Sequence, residues 1–342
     1  MKFKCIDEIY FTNRLKSTHR NSKNNYIVRK GYIIKLYLDN YCGLGEASPL
    51  IPFSKESFSD VIYALEELKS ALIVNDIYDK PTLLKLFNLY TCKTPSLNFA
   101  LDMALFDIYS QKNHLSLSKY LNPKSSDFVN FNSFYSKKLS HPGNVVKIKF
   151  GLQDMDKELK EFKKVHKNFP ISTIYRIDVN GAYSLKQASY LCAQLQGYNI
   201  QYIEEPLSDL NDCSLAELSK STSISIALDE SIHNPKIMNS IDLNLIDYVV
   251  LKASLFGSIE ENQKLIKYLQ NLNIKIIISS GLHTLVGNMA NIHIAAMLNS
   301  DDYHGLNNYV FFDYDKSKAV YKKIDQSVDL RTVIGLGLTE YD

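Results

Sequence analysis

Over residues 129–279, short β-type runs alternate with helical patterns, and charged or polar residues recur at the ends of the runs. The runs cover residues 129–134, 145–150, 173–179, 201–205, 225–229, 248–252 and 275–279. Their ends carry Lys147 and Lys149, then Arg176, Asp178 and Asn180, then Glu204 and Glu205, Asp229 and Glu230, Lys252, and finally Ser279 and Ser280. From Lys149 to Ser279 the successive steps span 23 to 29 residues. Roughly 250 residues make the eight βα units of a barrel, so each step returns the chain to the same rim, one strand further round. The pattern predicts an α/β fold built as a (β/α) barrel, ahead of an open doubly wound sheet. A doubly wound sheet starts with a glycine-rich turn into a helix; Gly43-Leu44-Gly45 lacks the third glycine, and Pro49 opposes a following helix.

The first 115 residues follow another rhythm. Residues 2–11 and 26–39 are rich in Ile, Tyr and Val, a turn follows at 38–41, and 42–47 form a third short strand. Residues 13–25, with Arg14, Lys16, His19, Arg20 and Lys23, are expected to be a polar loop. Ser54 is expected to cap a helix bearing Phe58, Val61, Ile62, Leu65 and Leu72, and a second helix starts near Ser96 with Phe99, Met103 and Phe106. Strands followed by helices make a small α+β unit. Further on, Ser184 caps a helix with Leu185, Ala188, Leu191 and Leu195 that Gly197 stops, and Ile259, Leu265, Ile266 and Leu269 mark another.

Composition narrows the function classes. The 342 residues carry 39 Lys+Arg against 37 Asp+Glu, a net charge of +2, which is too balanced for a nucleic-acid footprint or an anionic-membrane binder. No apolar run approaches the roughly 18 residues of a membrane span. The chain starts with acids where a signal peptide carries its apolar stretch. Five scattered cysteines without a C-x-x-C pair read as reduced, buried thiols of a cytoplasmic protein.

Side chains two apart on a strand share a face, so Lys147 and Lys149 point together, as do Arg176, Asp178 and Asn180. The rim then reads Lys, Asp, Glu, Asp, Lys. Three neighbouring carboxylates repel one another unless a cation sits among them, and hard oxygen ligands suit Mg²⁺. A lysine near a metal and another cation has its pKa lowered towards the ~7–8 useful to a general base. Such a site suits one chemistry. The metal holds a substrate carboxylate, a lysine removes the proton on the adjacent carbon, and the enediolate is stabilised. Glu205 and Glu230 alternate away from the mouth.

At these residues the chain resembles the enolase superfamily, in its muconate-lactonizing subgroup. The matching segments are Gly43-Leu44-Gly45-Glu46-Ala47-Ser48-Pro49-Leu50, Val146-Lys147-Ile148-Lys149, Arg176-Ile177-Asp178-Val179-Asn180, Ile203-Glu204-Glu205-Pro206, Ala227-Leu228-Asp229-Glu230-Ser231 and Val250-Leu251-Lys252. Within it, Pro52-Phe53-Ser54-Lys55-Glu56-Ser57, Lys147-Ile148-Lys149-Phe150-Gly151-Leu152 and His304-Gly305-Leu306 look most like the o-succinylbenzoate synthase family. The resemblance implies a (β/α)7β TIM-like barrel over residues 116–310 with an α+β capping domain over residues 1–115. Residues 311–342 then pack back on the capping domain. It implies Mg²⁺, with Mn²⁺ the alternative, held by Asp178, Glu204 and Asp229, with Lys149 as acid/base and Lys252 opposite. Lys147, Arg176, Asn180, Ser279 and Ser280 are the expected contacts of a small-molecule carboxylate substrate. The implied reaction is syn dehydration of a hydroxy-cyclohexadiene carboxylate to o-succinylbenzoate, in menaquinone or phylloquinone biosynthesis.

One segment departs from the pattern. After the seventh strand the family tends to read Ser-Ser-x-x-Glu-Ser, whereas this chain has Ser279-Ser280-Gly281-Leu282-His283-Thr284. His283 is expected to start a helix outside the pocket. The same metal and two lysines also serve racemases or epimerases of N-acyl amino acids or dipeptides, and cycloisomerases. The residue types leave the choice open, as they leave the oligomeric state. The 13–25 loop and Phe53 are expected to cover the mouth.

Overall fold

The computed structural model describes residues 1–20, 25–51, 53–136, 143–238, 240–307, 317–319, 322–324 and 326–341. Strands β1 (Phe3–Arg20), β2 (Asn25–Leu38) and β3 (Tyr41–Ala47) form an antiparallel meander. The expected loop at 13–25 is instead largely strand. Asn13 pairs with Arg29, Arg14 with Val28 and Arg20 with Asn25. Polar side chains on a two-stranded ribbon read as loop in a sequence, because the ribbon takes its hydrogen bonds from its partner and not from burial. Residues 21–24 and Pro52 lie outside the described residues.

Helices α1 (Phe58–Ala71), α2 (Lys80–Thr91) and α3 (Pro95–Lys112) pack on this sheet. Ser57, not Ser54, caps α1, in a reciprocal capping box with Asp60. Ser54 instead accepts from Leu50 N–H at 2.7 Å and closes the preceding turn. The reason for Gly43 and Gly45 is contact between backbones. A Cβ at either position would stand 1.9 Å from a carbonyl oxygen of α3, at Ala104 and Ala100 respectively. These glycines let a helix lie directly on a strand and have no part in holding a phosphate.

After α4 (Leu117–Leu121), β4 (Phe128–Phe131) runs into β5 (Ser133–Phe134). Then follow β6 (Val145–Lys149), α5 (Met155–Asn168), β7 (Ile174–Asp178), α6 (Leu185–Leu195), β8 (Ile200–Glu204), α7 (Asp212–Ser221), β9 (Ser225–Leu228) and the short α8 (Pro235–Met238). The alternation continues with β10 (Tyr248–Leu251), α9 (Ile259–Asn271), β11 (Lys275–Ile278), α10 (Leu285–Met297) and β12 (Tyr303–His304). Strands β5 to β11 form one parallel sheet in sequence order, so every connection steps to the neighbouring strand. Beyond β11, Gly305 N–H donates to Ile278 O at 2.9 Å, and β12 pairs in parallel with β4.

Ser184 caps α6 as expected, and Gly197 follows it at φ +91°. One face of the parallel sheet buries Tyr202, Ala227, Tyr248, Val250 and Ile277, while Ile203, Leu228 and Val249 face the helices. The tail has β13 (Ser317–Ala319), β14 (Lys322–Ile324), β15 (Ser327–Asp329) and β16 (Leu338–Tyr341). It meets both parts of the molecule. β15 pairs with β4, and Leu336 N–H donates to the buried carboxylate of Asp107 on α3 at 2.7 Å. Among the described residues no helix is long and apolar enough to cross a membrane. Of the five free cysteines only Cys192 is buried; Cys92 and Cys213 are exposed, contrary to expectation, because they lie at surface positions of α2's end and α7.

Candidate active site

The parallel register sets the site. Lys149 on β6 pairs with Asp178 on β7, and Asp178 with Glu204 on β8, so the three stand at one level at the strands' C-terminal ends. Asp229 follows β9 and Lys252 follows β10, which continues the row round the same rim. All five are thus brought together where the repeat places them, and Lys147 joins from one layer below.

The lysine ammonium groups are laid against the acids. Lys147 Nζ lies 3.0 Å from Asp178 Oδ2 and 2.7 Å from Glu204 Oε1. Lys149 Nζ is 3.7 Å from Asp178 and donates to Asn180 Oδ1 at 3.1 Å. Lys252 pairs with Asp229. The Lys149 side chain is 21% exposed against 10% for Lys147, so Lys149 is the lysine nearer the open mouth.

Burial works against every charge here, and the facing charges decide the outcome. Burial lowers the proton affinity of Lys147, but Asp178 and Glu204 outweigh it and hold the ammonium well above the ordinary lysine range. Lys252 is likewise held up, by Asp229 and Glu230 against burial. Lys147 and Lys252 each face carboxylates directly, and this outweighs burial at both. Burial pushes Asp178 up, yet Lys147 and Lys149 bring it below its usual value. Glu204 is raised well above the usual range by burial and by Asp178. Lys147 thus offsets burial fully at Asp178, while at Glu204 burial and the neighbouring Asp178 charge prevail.

Among the described residues, no three His, Cys, Asp or Glu side chains form a ready-made metal cage. The donor set nonetheless fits a hard divalent ion. It consists of carboxylate oxygens, and Glu204 Oε2 is buried with no hydrogen-bond partner, an orphan acceptor that a cation satisfies.

Residues 141–340 match the model of the enolase C-terminal domain-like family, and residues 19–108 match that of the MenC N-terminal domain. The chain belongs to the enolase superfamily. One relative is the L-amino acid-D/L-Glu epimerase of Francisella philomiragia, 22% identical over 77% of this chain and 78% of the relative. Another is the o-succinylbenzoate synthase of Haemophilus influenzae, 26% identical over 85% of both chains. A dipeptide epimerase of Enterococcus faecalis, solved with Mg and the dipeptide L-Leu-L-Tyr, superposes with a TM-score of 0.84 at 20% identity, covering 99% of this chain and 100% of that one.

Within the enolase superfamily fold, the expected substrate contacts separate. Arg176 is not at the rim. It pairs in register with Lys147 one layer down and is fully buried, donating to Gln201 at 2.7 Å, Asn132 at 3.1 Å and the Tyr303 carbonyl. Asn180 stands at the rim between Lys149 and Glu230, to which it donates at 2.8 Å. Ser279 N–H ties β11 to Leu251 at 2.9 Å, while the Ser280 hydroxyl lies against His283. Phe53, from the α+β unit, lies 5.8 Å from Lys252 Nζ and so reaches the site.

Two further buried carboxylates hold backbone segments in place, one at the Asp229 turn and one at the start of α10. Glu205 accepts from Asp229 N–H at 2.8 Å and from Ser231 N–H at 2.7 Å, which fixes the turn carrying Asp229. Glu46 on β3, buried, accepts from Thr284 N–H at 3.0 Å, from the Thr284 hydroxyl at 2.6 Å and from Gly287 N–H at 3.0 Å. Nothing in the strand-end pattern announces Glu46. Its signal is an acid inside an otherwise apolar strand.

Proposed function

We propose that this chain catalyses the syn elimination of water from a hydroxy-cyclohexadiene carboxylate to give o-succinylbenzoate, a step towards menaquinone or phylloquinone, in the cytoplasm. The choice of substrate is carried by the match of residues 19–108 to the MenC N-terminal domain. The choice of chemistry is supported by Lys149 and Lys252 standing at the two ends of one row of acids. Residues 1–115 act as the capping domain, and residues 116–310 as a (β/α)7β TIM-like barrel, with Ser280, Gly305 and His304 bridging β11 to β12 and on to β4. The tail from residue 311 returns to the capping domain through Leu336 and Asp107.

Asp178, Glu204 and Asp229 would hold one divalent ion, Mg²⁺ or alternatively Mn²⁺. When bound, the ion would supply positive charge to stabilise the substrate carboxylate as its neighbouring carbon loses a proton. Lys149, nearest the mouth, takes the proton from the carbon next to that carboxylate. The C–H and C–O bonds break, a C=C bond forms, and the proton on Lys149 passes to the departing hydroxyl, which leaves as water from the same face. The Lys252 ammonium, fixed by Asp229, faces the developing negative charge from the other side.

A second reading is epimerisation of a dipeptide, supported by the Francisella and Enterococcus relatives. There Lys149 and Lys252 would each serve one enantiomer. The deciding experiment incubates the protein and Mg²⁺ with the cyclohexadiene acid and follows aromatic absorbance. Dipeptides in deuterium oxide are followed in parallel by proton NMR. A new aromatic chromophore is the expected result. Deuterium entering a dipeptide α-position, with no chromophore, would replace the first reading by the second.

A further inference from the structure

His283 sits in the turn from β11 into α10, only 3% exposed. Three donors converge on its Nδ1: Gly281 N–H at 3.3 Å, the Asn291 side-chain amide at 3.3 Å and the Ser280 hydroxyl at 3.1 Å. A backbone N–H can only donate, so Nδ1 is the acceptor and the ring proton resides on Nε2. Nε2 lies 3.2 Å from Ser254 Oγ and donates to it. Ser254 belongs to the turn Ala253–Leu255 directly after Lys252, so the ring joins the segment after β10 to the segment after β11. Burial keeps the ring neutral, its pKa lowered to about 4.

We infer that His283 is a positioning residue, a two-sided clamp between Ser254 and the Ser280–Gly281 turn that fixes where the Lys252 ammonium stands. The inference rests on Lys252 belonging to the proposed site. His283 therefore does not lie idle at a helix start. A neutral donor–acceptor ring is the group that serves a hydroxyl on one side and an N–H on the other. The Ala253 carbonyl is separately held by Asn262 at 3.1 Å, which leaves the Ser254 side of the turn to His283.

Two measurements on the full chain test this. Imidazole ¹⁵N NMR at pH 7, with the His283 signal assigned by its loss in His283→Gln, should show a proton on Nε2 and none on Nδ1. The opposite tautomer overturns the clamp. In kinetics, His283→Phe removes both polar contacts, and kcat should fall about 10–100-fold, as for supporting groups around metal sites, with KM changing by less than about threefold. His283→Gln keeps a donor near the Nε2 position and should recover kcat to within about threefold of the parent. Ser254→Ala deletes the acceptor without altering the ring. It should match the loss in His283→Phe, and it decides the question if the Phe variant does not fold. A kcat within about twofold of the parent in Ser254→Ala, or no recovery in His283→Gln, overturns the inference. If the parent protein turns over neither substrate class, the proposed function fails, while the tautomer, which needs no turnover, still decides the clamp.

Discussion

Lys147 Nζ stands 2.7 Å from Glu204 Oε1, while the other oxygen of the same carboxylate is buried without a hydrogen-bond partner. The ammonium therefore compensates Asp178 and Glu204 together but satisfies Glu204 on one side only. Removing one partner of a buried ion pair strands the other charge, at a cost of about 3–5 kcal/mol. Lys147→Met should accordingly lower the thermal midpoint in metal-free buffer. A ligand that binds the folded state stabilises it by mass action, so Mg²⁺ should raise the midpoint more in the variant than in the parent. Equal Mg²⁺ shifts in the two proteins would show that the ion does not sit at these acids.

Lys149 is the more exposed of the two β6 lysines and lies level with Asp178. Loss of a proton-transfer group typically removes about 10²–10⁴-fold in rate. Lys149→Ala should collapse kcat by that order while its circular dichroism and Mg²⁺-induced thermal shift stay those of the parent. Near-parental kcat would exclude Lys149 as the base.

Much of the site was legible because two regularities coincide. The two-residue strand period and the βα repeat together place Lys149, Asp178, Glu204, Asp229 and Lys252 on one rim, and the register brings them there. Arg176 shows the limit of that reasoning. It shares the face of Asp178 but lies one layer deeper, and depth within a barrel is set by register between strands, which one strand's sequence does not contain. The 13–20 segment misled for a related reason, since a ribbon's pairing depends on its partner. Ser54 and Ser57 are equally good caps by residue type; Asp60 three residues after Ser57 is the signal that separates them. Glu46 and His283 both stand in segments the sequence singles out, but their partners are distant in sequence, so what each holds could not be read locally.

Glu46 fastens β3 to the start of α10 through Thr284 and Gly287, and Ser48 donates to it as well at 2.7 Å. Hydrogen bonds to a charged group are worth about 1.5–3 kcal/mol each, and a carboxylate also complements a helix N-terminus. Glu46→Gln should destabilise the protein by about 2 kcal/mol in urea unfolding. Thr284→Val should cost a similar amount, and the double variant less than the two together, because both changes break the same contact. Strict additivity would show that the two residues act separately.

The Asp102 carboxylate on α3 accepts from Ile259 N–H at 2.8 Å at the start of α9. Burial pushes its pKa up to about 7, opposed by the Ile259 hydrogen bond and helped by Glu260 and Glu261. An unfolded Asp titrates near 3.9, as a model-peptide value of about that size indicates. Between those two values the folded protein holds a proton that the unfolded chain has lost. Asp102 therefore favours the folded state most at and below about pH 4, and this contribution declines as pH rises to about 7, then stays level. A shift of this size corresponds to about 4 kcal/mol across the window, at about 1.4 kcal/mol per pH unit. Asp102→Asn keeps an acceptor for Ile259 and cannot ionise. The thermal midpoint of the variant minus that of the parent should therefore climb steadily from pH 4 to pH 7 and flatten above it. A difference that stays constant over that range would mean that Asp102 titrates at its ordinary value, with water reaching the junction between α3 and α9.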